Sequence, residues 1–183
     1  MTTATIPFNG TYVADPVHSS FGFAVRYMGV STFRGTLSDA RATLTGGDHG
    51  IALEGAARVE SISIQNPPEF RQHVLSAEFF DAENHPEVTF RSSDVRLEED
   101  GTARVRGELT IRGVTQPVEA TGTWQPPAED AFGRTKGALS LTAEVDRTAF
   151  GMNWNVPTPK GGKALDERVT LSIDLLLAAH DAE

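Results

Sequence analysis

Cysteine is absent from this 183-residue chain, which removes disulfides, thiolate metal sites and thiol nucleophiles together and leaves the protein indifferent to the redox state of its surroundings. Positive charge is scarce. Lys and Arg number 16 against 25 Asp and Glu, a net charge of −9 that repels nucleic-acid backbones and anionic lipid surfaces. No apolar run is long enough to cross a bilayer, and the opening MTTATIPFNGTYVAD lacks the basic start and apolar stretch of a secretory signal; a cytoplasmic location is expected. The chain also lacks G-x-S-x-G, a phosphate-binding loop, a dinucleotide fingerprint, H-E-x-x-H and H-x-H, so neither a catalytic nucleophile, a required cofactor nor a metal site is expected. Helical periodicity is nearly missing as well.

Period-two alternation takes its place. One apolar face reads Phe21, Phe23, Val25, Tyr27; the next Phe33, Gly35, Leu37; then Ile51, Leu53, Gly55, Ala57, Val59. Val88 and Phe90 follow before the segment turns polar. Ala103, Val105, Gly107, Leu109 and Ile111 alternate with Arg104, Arg106, Glu108, Thr110 and Arg112. Val118, Ala120, Gly122, Trp124, then Leu139, Leu141, Ala143, Val145, and finally Val169, Leu171, Ile173, Leu175, Leu177 complete the set. These runs predict an all-β protein of about eight antiparallel strands. With one buried face each, the strands hide that face and lose their edges most simply by closing into a barrel. At 39% hydrophobic residues the whole chain, 1–183, suits a single domain.

Seven small residues at inward parity, Gly35, Gly55, Ala57, Gly107, Ala120, Gly122 and Ala143, leave room inside such a barrel. Any one glycine is explained by a bulge or a kink. Together they imply a void that close-packed interiors do not tolerate empty, and hence a bound guest.

One helix is signalled: NPPEFRQHVL places Asn66 as N-cap, Pro67 at the first helical position, Glu69 to complete a capping box, and Phe70 with Val74 on the buried side. Phe79 and Phe80 follow it. The Pro- and Gly-rich stretch FGMNWNVPTPKGGKALD is a long loop whose Phe150, Met152 and Trp154 can lie over a cavity mouth. Among polar residues, His18 beside Asp15 reads as a turn histidine or a ligand contact, and His73 with Arg71 as a head-group contact or a loop tether. Arg147 with Asp166 reads as a structural ion pair, and His49 and His180 as exposed.

Four ordered blocks, DPVHSSFGFAVRYMGVSTFRGTL, FRQHVLSAEFFDAENHPEVTFRS, GELTIRGVTQPV and VDRTAFGMNWN…DERVTLSIDL, resemble the successive signatures of the YceI-like family, lipocalin-like bacterial polyisoprenoid-binding proteins, over about Tyr12 to Leu177. The resemblance implies an extended eight-stranded antiparallel barrel with a short capping helix and an apolar pore for an isoprenoid chain, such as a quinone or prenyl-phenol tail. Dimers are common in that family, so a homodimer is a further expectation. Two departures stand out: Tyr27 where a histidine is frequent, and Arg71-Gln72-His73-Val74-Leu75 where the family has Arg-Asp-x-His-Leu.

The expected function is therefore transport, storage or sequestration of a long-chain isoprenoid or similar amphiphile, without catalytic residues. Its expected wall is Phe21, Phe23, Val25, Tyr27, Phe33, Leu37, Phe79, Phe80, Phe90, Gly107, Leu109, Ile111, Trp124, Leu139, Leu141, Ala143, Phe150, Trp154 and Ile173, with His18, Arg71 and His73 toward a head group. The alternatives are an isomerase- or cyclase-type enzyme using Tyr27, His18, His73 and Arg71 on a bound lipid, and a structural barrel with a closed core.

Overall fold

Strands that alternate apolar and polar side chains bury one face by curling on themselves, and this chain does so. The structure, a computed structural model, describes residues 7–180; residues 1–6, part of the N-terminal stretch read above, lie outside them. One antiparallel sheet contains β1 (Gly10–Ala14), β2 (Ser20–Tyr27), β3 (Ser31–Thr36), β4 (Ala40–Gly47), β5 (Gly50–Arg58), β6 (Glu87–Leu97), β7 (Thr102–Ile111), β8 (Val114–Glu129), β9 (Thr135–Asp146) and β10 (Leu165–Ala179). The order is β1-β4-β5-β6-β7-β8-β9-β10-β2-β3, and pairing of β1 with β10 closes the cylinder. β1 and β2 lie end to end along one edge of β10, opposite residues 177–179 and 165–174. β3 and β4 lie end to end beside them in turn. Ten segments thus make the eight staves of a closed antiparallel barrel of lipocalin-like type.

Two backbone devices set the curvature. Type I′ turns carry the chain from β2 to β3 through Met28-Gly29 (φ 54° and 68°) and from β7 to β8 through Arg112-Gly113 (φ 54° and 72°), matching the right-handed strand twist. A bulge between Ser92 and Asp94 shifts the register of β6 on β7 and resets its parity, so that Val95 and Leu97 rejoin the core after Phe90. The segment that seems to turn polar in the sequence is an inward strand with one extra residue.

Along its axis the barrel has two unlike halves. At one end Phe8, Leu44, Leu139 and Leu177 are fully buried, and the Phe8 ring meets Tyr12 edge-on at 5.0 Å and Trp124 at 6.3 Å. Gly137 makes room for that ring, since a Cβ there would stand 2.5 Å from it. At the other end β5 stops at Arg58, and residues 62–63 take over beside β3 through the Leu37–Ile62 bridge and the Ser63 N–H to Thr36 O bond of 2.9 Å. The helix α1 (Pro68–Leu75) covers this gap. It starts one residue later than its sequence signal: Pro67 is the N-cap and Asn66 caps nothing, because the Pro67 carbonyl already accepts from the Phe70 and Arg71 N–H groups at 3.1 and 3.2 Å. Val74 is buried as expected, whereas Phe70 is 41% exposed and lies edge-on to Phe33 at 5.7 Å.

Candidate ligand-binding cavity

The half of the barrel beneath α1 is hollow. A cavity of about 650 Å³ opens there, within the range of small-molecule sites. β2 contributes Phe21, Phe23, Val25 and Tyr27 to its wall, and β3 with its following residue contributes Phe33 and Leu37. Phe90, Leu109, Ile111, Leu141, Ala143 and Ile173 line it from β6, β7, β9 and β10. Phe79, Phe80, Phe150 and Trp154 reach it from the two long loops. Further wall residues were legible from the same alternation but unassigned by it: Val145, Val169, Leu171 and Leu175 continue the inward faces of β9 and β10, while Val74 and Phe70 come from α1. The charged or titratable wall residues are Glu54, whose carboxylate turns to Arg91 at 3.2 Å, with His73, Tyr27 and Arg147.

Three expected wall residues are not on it. Trp124 and Leu139 have inward parity but sit in the packed half, opposite each other in the β8–β9 register, and the Trp124 indole N–H donates to Glu98 O at 2.8 Å. Parity tells in from out, not height along the barrel. Gly107 is excluded for a different reason: a Cβ there would stand 2.3 Å from Arg91 O and 2.6 Å from the Phe90 ring.

The seven small residues therefore divide. At Gly35 the Phe23 ring occupies the space, 2.4 Å from where a Cβ would be, and at Gly122 the Ser140 carbonyl does so at 1.8 Å. Gly35, Gly107 and Gly122 permit close approach of a neighbouring ring or strand and leave no void. Gly55, Ala57, Ala120 and Ala143 face the cavity.

At the mouth, His73 packs edge-on against Trp154 (4.9 Å) and Phe79 (5.1 Å), and its Nε2 meets Glu78 Oε2 at 2.5 Å. Three arginines fasten the surrounding loops through backbone carbonyls. Arg71 donates to the carbonyls of Glu60, Ile62 and Ile64 at 2.6, 3.2 and 3.0 Å, so it tethers a loop and does not reach the cavity. Arg112 holds the carbonyls of Gly151 and Ala77, with its Nε buried and unpaired. Arg147 is only 4% exposed. Its Nη1 reaches Met152 O (2.6 Å) and Trp154 O (2.9 Å), its Nη2 reaches Leu165 O (3.2 Å), and its Nε reaches Asp166 O (2.8 Å).

The expected Arg147–Asp166 ion pair is thus a main-chain contact, and burial pulls the Arg147 pKa below its ordinary value, against the pull of Glu167, Asp146 and Asp166. His18 lies away from the cavity in the β1–β2 connection. Its Nδ1 is 3.3 Å from Asp15, whose carboxylate also takes the N–H of Val17 and of His18 at 2.8 and 3.2 Å. Among the described residues no cluster of three His, Asp or Glu side chains could hold a metal ion.

Solved structures of similar shape come from several bacteria. Burkholderia cenocepacia BcnA superposes with a TM-score of 0.71 at 19% identity, over 91% of this chain and 99% of that one. The Campylobacter jejuni YCEI protein matches with 0.71 at 19% identity, over 85% and 90%. A polyisoprenoid binding domain from Saccharophagus degradans, implicated in plant cell wall breakdown, matches with 0.66 at 9% identity, over 94% and 100%. In sequence, UPF0312 proteins of Pseudomonas putida (strain W619) and Vibrio cholerae (El Tor N16961) are each 27% identical, over 86% and 81% of this chain and 80% and 82% of theirs. The YceI-like domain model matches residues 12–177, nearly the whole barrel, and the chain belongs to that family.

Proposed function

We propose that the protein holds a long isoprenoid, or a similar single-chain amphiphile, in this cavity and carries or sequesters it. The observation that carries the reading is an apolar void of about 650 Å³ under a roof of one short helix and two loops. At about 30 Å³ per water-sized group, it takes on the order of twenty carbons, about four five-carbon units. Burying them is worth roughly 16 kcal/mol gross at about 0.8 kcal/mol per methylene. Immobilisation and ordering cost several kcal/mol, which leaves micromolar or tighter affinity without an ionic contact. Such contacts are non-directional, so width and length select the guest, and a prenyl quinone or prenyl phenol would place its head at the mouth, against the packed His73 and Trp154 rings. Organic extraction of the purified protein followed by mass spectrometry should recover a prenyl or long-chain guest. Empty protein that also refuses geranylgeraniol and a short-chain prenyl quinone would overturn the reading.

A second reading, an enzyme acting on a bound lipid, has one observation in its favour: the His73–Glu78 pair of 2.5 Å at the cavity mouth has the geometry of an acid–base dyad. Guest recovered unaltered from both the wild type and His73→Ala after prolonged incubation favours the carrier; conversion by the wild type alone favours the enzyme.

A further inference from the structure

Of seven exposed large hydrophobic side chains among the described residues, five, Tyr27, Met28, Val30, Phe70 and Val156, ring the open end of the barrel. Three of these form one lip. Met28 and Val30 sit on the β2–β3 turn, and Met28 N–H donates to Ala164 O at 2.6 Å while Ala164 N–H donates to Val156 O at 2.9 Å. The Thr158–Gly161 turn, closed by the Gly161 N–H to Thr158 O bond of 3.0 Å, carries Lys160 at its tip beside this pair. The lip is therefore the β2–β3 tip bonded through its backbone to the base of the Val156–Ala164 hairpin, whose own tip is the Thr158–Gly161 turn.

Its charge is opposite to that of the molecule. Residues 26–38 hold Arg26 and Arg34 and no acid, and residues 151–164 hold Lys160 and Lys163 and no acid, in a chain of net −9. At the packed end the β4–β5, β6–β7 and β8–β9 turns carry Asp48, Glu98, Glu99, Asp100, Glu129 and Asp130 against Arg134. The two segments of the lip thus carry cations only, of which Lys163 is paired with Glu167 of β10 while Arg26 and Lys160 make no ion pair among the described residues; Asp146, Asp166 and Glu167 stand behind them at the ends of β9 and β10. Glu69, Glu78, Asp81 and Glu83 lie on the α1 side of the same mouth, so the molecule meets an anionic surface tilted onto its β2–β3 side.

We infer that this lip docks on an anionic lipid bilayer, which supplies or receives the guest of the cavity. Aliphatic side chains on projecting turns flanked by cations suit an interface that yields around them, whereas a rigid protein partner would need a groove for each. Tyr27 faces the cavity beside Met28, so a chain leaving the bilayer crosses apolar side chains all the way in. The inference rests on the proposed carrier function for the identity of what passes, but not for the docking itself.

The test is flotation of the full chain with vesicles of phosphatidylcholine alone or with added phosphatidylglycerol. Wild type should float with the anionic vesicles and lose that binding as salt rises. Lys160→Ala should weaken it roughly fivefold, the effect of one cation at such a surface. Val30→Asp and Met28→Asn should remove most of it. Asn is at home at the positive φ of position 28, so the second variant keeps the turn intact. Uptake of geranylgeraniol from solution should be unchanged in all three, which separates loss of docking from loss of the cavity. Wild type that ignores phosphatidylglycerol vesicles, or Val30→Asp that floats equally well, would overturn the inference. So would a concentration-dependent dimer abolished by Val30→Asp, which would assign the lip to a second copy of the chain.

Discussion

Ala143→Leu tests whether the hollow half is a measuring device for chain length. Ala143 lies on β9 between Ala120 of β8 and Leu171 of β10 and faces the cavity. Leucine adds three carbons where a guest carbon would sit. Displacing about three methylene equivalents at roughly 0.8 kcal/mol each removes about 2.4 kcal/mol, a loss of about sixtyfold in affinity. That loss falls on a guest long enough to fill the void, such as geranylgeraniol; a ten-carbon alcohol such as geraniol has space to move aside. Folding should be unaffected or slightly strengthened, because the new side chain enters space and not packed atoms. The readout is titration by Trp154 fluorescence in a Trp124→Phe background, alongside thermal unfolding. The matched control is Gly107→Ala, whose Cβ meets Arg91 O at 2.3 Å; it should cost about 1–3 kcal/mol of stability although it adds only one carbon. Equal weakening of geraniol and geranylgeraniol by Ala143→Leu, or unfolding as severe as that of Gly107→Ala, would refute the reasoning.

Other outcomes follow from the same geometry. Arg147→Met takes the guanidinium donors from the carbonyls of Met152, Trp154 and Asp166, while that of Leu165 keeps the Asn155 amide at 2.6 Å. At about 1–3 kcal/mol for each that finds no water, urea denaturation should show a loss of at least ~3 kcal/mol; Arg147→Lys, with three donors, should recover only part. Asp146 is held below the ordinary carboxylate range by the Thr148 hydroxyl first and the Thr148 N–H second, and Asp15 by the Val17 N–H first. Folded pKa values below the unfolded ones mean that this stabilisation is complete above the ordinary Asp range and is lost as pH falls through the folded values. Asp146→Asn should therefore lower stability at neutral pH, where the carboxylate contributes fully, and flatten the acid limb of the stability profile. Guest binding should change Trp154 emission and leave Trp124, which sits in the packed half, unmoved.

The staves were legible because their period is two and every turn is marked by Gly, Pro, Asn or Asp. Tertiary register was not. The shift at Ser92–Asp94 has no residue signal, so Val95 and Leu97 looked stray; β4, with Ala42 and Leu44 inward, carried its alternation in small residues and was passed over. Site residues followed the same division. Inward parity placed most of the aromatic wall, because an inward side chain in the hollow half has nowhere else to go. It could not separate Trp124 and Leu139, which lie at the wrong height. Nor could it tell Gly107 from Ala143, since one small residue accommodates a neighbour and the other a void. Arg147 misled for a chemical reason: the nearby Asp166 suggests an ion pair, yet a guanidinium's several donors can equally gather loop carbonyls, as those of Arg71 do in the loop-tether alternative to a head-group contact.

The division into a packed and a hollow half also links cargo to stability. In the packed half Phe8, Leu44, Leu139 and Leu177 hold the staves together without help, so the barrel can fold with its other end unfilled. The hollow half lacks contacts that only a guest can make, and a ligand that binds the folded state alone raises stability by mass action. At a hundredfold excess over its dissociation constant, geranylgeraniol should add about 2.7 kcal/mol, which for a chain of this size is a rise of roughly 5–10 °C in the melting temperature. Ala143→Leu should start higher on that scale and gain less from the same alcohol, because its side chain already does part of what the guest does. A guest-induced rise identical in wild type and Ala143→Leu would place the binding site outside the barrel.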